Sequence, residues 1–154
     1  MPWYPHMRRE LVNAALVLAD RSYQQQVWID RKMPDDVDDD SLDYIVHFLF
    51  DDTSLSEATD ECIGYYVLNE QEADAIKVVI EKLEHLFAAR GLTLGDADYL
   101  ATPEWDSVVA AAMELRRIFI VNEELDPTTP PRSRWSLQSI PSDKQATPSQ
   151  ATPS

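Results

Sequence analysis

The chain has 154 residues, 44% of them hydrophobic, which is ordinary for a globular protein and argues against full disorder; three glycines are few for a fold of many tight β-turns. Thirteen basic and 28 acidic side chains give a net charge of −15, and residues 33–126 alone carry 24 acidic and five basic groups, a net −19. A field of that sign repels nucleic acid and anionic membrane and attracts basic proteins, while also serving solubility.

Taken in order, Arg8 and Arg9 precede an apolar stretch from Leu11 to Ala19, but Glu10 and Asn13 interrupt it, so a helix describes it better than a leader segment. Pro5 suits a first helical turn, and Met7, Leu11, Ala14, Ala15 and Leu18 recur at three and four to give one apolar face. Asp20 or Ser22 can cap a second short helix holding Tyr23, Val27 and Trp28, which Met33-Pro34 closes. Asp35 to Asp40 reads as a solvated acidic loop. Its alternate Asp36, Asp38 and Asp40 imitate the start of an EF-hand loop, but Ser41 and His47 stand where glycine and a bidentate glutamate are needed.

Ser41 to Thr53 is the densest apolar run, and the fold is expected to be built around it. Aromatic and branched residues favour a strand there, whereas a Ser41 cap and the length favour the predicted helix. Thr53 to Cys62 reads as a polar loop or turn. Ile63 to Leu68 reads as a short strand or packed extended segment, in which Tyr65 or Tyr66 faces outward and suits an interface. Asn69 and Glu72 form a capping box for a long helix with its stripe on Ala73, Ile76, Ile80, Leu83 and Phe87, ended by Gly91. Leu92 to Leu100 is a connection. Thr102-Pro103-Glu104 then starts a last helix buried through Trp105, Val108, Val109, Ala112, Leu115 and Phe119. From residue 127 the proline, serine and threonine content predicts a disordered tail. The expected architecture is therefore mostly α: a bundle of about four to five helices over residues 1–126, with one short strand or extended segment near 63–68.

Chemical motifs are sparse. There is no glycine-rich phosphate loop and no nucleophile elbow, and one cysteine, Cys62, excludes both an internal disulfide and a thiolate zinc cluster. A lone cysteine fits a reducing compartment, and no run is long enough to span a membrane, so a cytoplasmic protein is expected. Asp43, His47 and Asp51 fall on one helical face, with Asp52 beside them. This set reads either as a structural histidine held by carboxylates, as a metal or proton-transfer site, or as an acidic patch for a basic ligand. Binding candidates are Asp43, His47, Asp51, Asp52, Asp38, Asp39, Asp40 and Tyr65. No catalytic residue, metal ligand or cofactor is assigned.

Three phrases occur together: Tyr23-Gln24-x-x-Val27-Trp28, Asp43-x-x-Val46-His47-x-Leu49-x-Asp51-Asp52-Thr53, and Tyr99-Leu100-x-x-Pro103-x-Trp105-x-x-Val108. The set resembles a family of small acidic bacterial proteins of unassigned function, over about residues 7–120, and carries no catalytic motif. In size and charge the chain is also similar to immunity proteins of bacterial toxin systems. The expected function is a non-enzymatic acidic module that binds a basic protein, in its finer form an immunity-type inhibitor of a basic toxin. The alternatives are a small enzyme using Asp43, His47 and Asp51, or a dimeric helical regulatory module.

Overall fold

Helix α1 (Pro5–Leu18) is the axis of the molecule, a computed structural model that describes residues 3–34 and 40–131: Arg8 and every residue from Glu10 to Leu18 are buried. The single apolar face predicted for this helix understates it, because Arg8, Glu10 and Asn13 are no part of that face. They are inside, and Leu42, Ile45, Phe48 and Leu49 of the Ser41–Thr53 run are buried in the same core. A helix buried all round needs neighbours on every side. α5 (Glu70–Arg90) and α7 (Pro103–Asn122) pack along each other, and α7 packs on α1.

The long helices start and stop where their side chains dictate. Asn69 Oδ1 accepts from the Glu72 N–H at 3.0 Å at the start of α5, and Thr102 Oγ1 accepts from the Trp105 N–H at 3.2 Å at the start of α7. Gly91 ends α5 at φ 82°, a left-handed backbone that a Cβ would strain. Along α7, Trp105, Val108, Ala112 and Phe119 are fully buried, and Trp105 meets the Trp28 ring edge-on at 6.0 Å.

Between these rods the chain is more helical than expected. The described residues hold seven α-helices, and no strand forms among them. α2 (Arg21–Tyr23), capped by Asp20 through the Tyr23 N–H at 2.9 Å, widens into a π turn over Gln24–Ile29. α3 (Leu42–His47) does the same over Phe48–Asp52, so the ambiguous run is a helix with its last turn widened. The predicted loop after Thr53 is α4 (Leu55–Ala58) followed by a 3₁₀ turn, and the predicted connection after Leu92 contains α6 (Asp96–Leu100). Residues 63–68 form a tight loop with one isolated bridge, Ile63 to Val67.

Two polar groups inside the core tie these parts together. Gln24 is fully buried; its Nε2 donates to the carbonyls of Val17 and Leu18 at 2.9 and 3.0 Å, and its Oε1 accepts from Trp105 Nε1 at 3.0 Å. One amide thus closes the end of α1 and fixes α7 against it. Arg8 donates twice to Glu72, at 2.5 and 2.8 Å, and through Nε to Glu123 at 2.9 Å. Its guanidinium lies 4.8 Å from the centre of the Phe119 ring. Glu72 also accepts from the Leu68 N–H at 2.8 Å and from Asn122 Nδ2 at 2.7 Å. Burial alone would raise its carboxyl, but the bonds from Arg8, Asn122 and Leu68 outweigh this and hold it below the usual range. For Arg8 burial works downward, and the two glutamates more than reverse it.

The predicted tail falls largely on residues 132–154, outside the described residues. Residues 127–131, its first part, carry local bonds: Arg116 Nη2 donates to the Pro127 carbonyl at 2.5 Å, and the Thr128 N–H to Asp126 at 2.7 Å.

Candidate functional site

Asp96 fixes the geometry at the start of α3. Ser41 occupies the N-cap position with extended backbone, yet its side chain makes no capping bond. The Leu42 N–H is taken instead by Asp96 Oδ2, at 3.2 Å, from the first turn of α6. A helix N-terminus satisfied from 54 residues away ties α3 to α6. Tyr99 secures the other side: its hydroxyl donates to the Gly91 carbonyl at 2.6 Å, and its ring meets Phe87 edge-on at 5.6 Å.

The two ties enclose a cleft of about 500 Å³. Leu42, Val46 and Phe50 form one wall, and Phe87 with Leu92 and Tyr99 the other. Asp43 and Asp96 both line it. Burial raises the Asp96 carboxyl above its ordinary value; the Leu42 N–H pulls it down, Asp43 pushes it up and Arg31 pulls it down. A mostly apolar depression with two carboxylates is suited to a ligand that is greasy along its length and positive at its end.

The sequence-predicted residues separate into several places. His47 and Asp51 meet on the outer face, Nδ1 to Oδ2 at 2.8 Å, with side chains 67% and 61% exposed. Asp43 and Asp52 are also exposed, and Asp43 lies toward the cleft. The proton-transfer or metal alternative requires Asp43, His47 and Asp51 to converge. Among the described residues no group of three His, Cys, Asp or Glu side chains could hold a metal ion. The His47–Asp51 contact is a surface pair in high dielectric. Replacing His47 with alanine is accordingly expected to change the unfolding free energy by less than about 0.5 kcal/mol, as measured by urea denaturation.

Asp40 departs most from its reading as a solvated contact residue. It is buried and accepts from Tyr23 Oη at 2.8 Å, Trp28 Nε1 at 3.3 Å and the Ser41 N–H at 2.9 Å. Arg31 Nη1 donates to its carbonyl at 2.7 Å. A carboxylate with that many donors is satisfied inside, and Asp40 serves the fold. Asp38 and Asp39 lie outside the described residues. Tyr65 is half-buried and stacks on Tyr4 at 5.8 Å, on a separate loop, while Tyr66 turns inward. The Tyr66 hydroxyl lies 3.1 Å from the thiol of Cys62, itself buried, and burial with that thiol raises it above the usual tyrosine range.

Sequence reasoning missed Asp96 and the wall formed by Phe87, Leu92 and Tyr99. One signal was present: Leu92, Leu94 and Leu100 make the supposed connection too apolar for a plain loop.

A family model described as Domain of unknown function (DUF7945) matches residues 1–127. The chain belongs to this family. Comparison with curated proteins and with solved structures finds no match in either. The DUF7945 match spans α1 to α7 and both lips of the cleft. No described helix is long and apolar enough to cross a membrane.

Proposed function

We propose that this chain is a non-enzymatic acidic module that binds a basic protein, and in its finer form an immunity-type inhibitor of a basic toxin. The observation that carries the proposal is α3 and its π turn, where Asp43, Asp51 and Asp52 are all exposed, Asp43 at the cleft and Asp51 on the outer face. They stand within a segment of net −19. Carboxylates held on a rigid helical edge steer a cationic partner and fix its register at little conformational cost. Size and charge favour inhibition by binding over chemistry.

A pulldown with the full chain tests this. Proteins recovered at roughly 0.05 M salt are expected to be strongly basic, and recovery is expected to fall at least tenfold at roughly 0.5 M, where the Debye length is a few ångströms. An Asp43→Asn/Asp51→Asn/Asp52→Asn variant is expected to show a comparable loss at low salt. Recovery that ignores both salt and these substitutions overturns the reading.

A further inference from the structure

We infer that the cleft between α3, the end of α5 and α6 seats one arginine side chain of the basic partner, with its stem on Val46, Phe87 and Leu92 and its guanidinium between Asp43 and Asp96. The inference rests on the proposed function and deepens it, giving the acidic face a specific socket. Three observations carry it. The cleft, at about 500 Å³, is large enough for a long side chain and is lined mainly by apolar groups. Both of its carboxylates line it, and Asp96 Oδ2 accepts at 3.2 Å from the N–H of Leu42, the residue next to Asp43. Among the described residues, Arg31 is bonded through Nη1 to the Val27 and Asp40 carbonyls at 3.4 and 2.7 Å, away from the cleft lining. A second positive group therefore has two acids to meet and a hydrophobic channel for its stem. Arginine is favoured over lysine because a planar guanidinium stacks on rings such as Phe87 and can bridge two carboxylates.

The probe is n-butylguanidinium, titrated into the ¹⁵N-labelled full chain and followed by amide NMR shifts. Guanidinium, n-butylamine and 1-pentanol serve as controls for stem, head and charge. The expected result is saturable shifts confined to residues 42–46 and 92–96, with all three controls binding more weakly. Asp43→Asn/Asp96→Asn should weaken binding about tenfold, the loss of one good charge-assisted contact. The Asp96→Asn side chain keeps an oxygen for the Leu42 N–H, and unchanged shifts far from the cleft establish that the variant is folded.

Shifts spread evenly over the acidic surface, or equal binding by wild type and the double variant, overturn the socket. Equal binding of n-butylamine overturns the assignment to arginine. If basic proteins are recovered at low salt but the cleft ignores n-butylguanidinium, the socket fails and the acidic module stands. If the cleft saturates while no basic protein is recovered, the partner reading fails.

Discussion

Replacing Arg8 with methionine is expected to lower the unfolding free energy by about 3–5 kcal/mol, the usual cost of removing one member of a buried ion pair. Glu72 would keep its burial and its bonds to Leu68 and Asn122 but lose its bidentate cation, and Glu123 would lose its Nε–H donor. Urea unfolding at neutral pH measures the loss. Arg8→Met/Glu72→Leu should fall short of the sum of the two single losses, because neither charge is then stranded. A loss below about 1 kcal/mol for Arg8→Met would overturn the network as a stabilising element.

The same network sets an acid limb. The folded carboxyl of Glu72 lies below its ordinary value, so its contribution is fully present above the unfolded value of about 4.3 and drains away as pH falls toward the folded one. Wild type should therefore lose stability more steeply than Arg8→Met between about pH 5 and pH 3. In the variant, burial of Glu72 acts without the guanidinium that reverses it, and the slope should shrink or change sign.

Gln24→Leu is the second substitution with a large expected effect, about 2–4 kcal/mol. Leucine nearly fills the space but strands Trp105 Nε1 and the carbonyls of Val17 and Leu18. Each is a buried polar group whose desolvation is then uncompensated. Trp105→Phe in the Gln24→Leu background should cost less than in wild type, since the stranded indole N–H is removed. A double-mutant cycle by chemical denaturation reads this coupling directly. Strict additivity would mean that water replaces the amide.

Much of the helical frame was legible because it is written locally. Asn69, Gly91, Thr102 and Pro103 each act on their own backbone or on a residue three positions away, and the structure has them doing so. The apolar stripes of α5 and α7 follow from a repeat that any window of the sequence displays. Glu72 shows where such reading stops. Its N–H is capped by Asn69 as expected, but its carboxylate does not return to Asn69; it turns inward to Arg8 and the Leu68 N–H. Asp40 misleads, and Arg8 and Gln24 give no sign of their burial, for the same reason. A polar side chain is read as surface unless its distant partner is known, and the partners that draw these three inward, Glu72, Trp105 and Trp28, lie 12 to 81 residues away. The cleft was illegible likewise: Asp43 and Asp96 are neighbours only because Asp96 caps a helix that Ser41 leaves uncapped.

The Arg8–Glu123 bond spans 115 positions of sequence and joins the first helix to the segment just past the last. Unwinding of the final turn of α7 must therefore also strip a counter-charge from the first turn of the first helix. The two ends of the fold are coupled in their opening, and amide hydrogen exchange around Arg8 and around Phe119 should slow and quicken together instead of fraying independently.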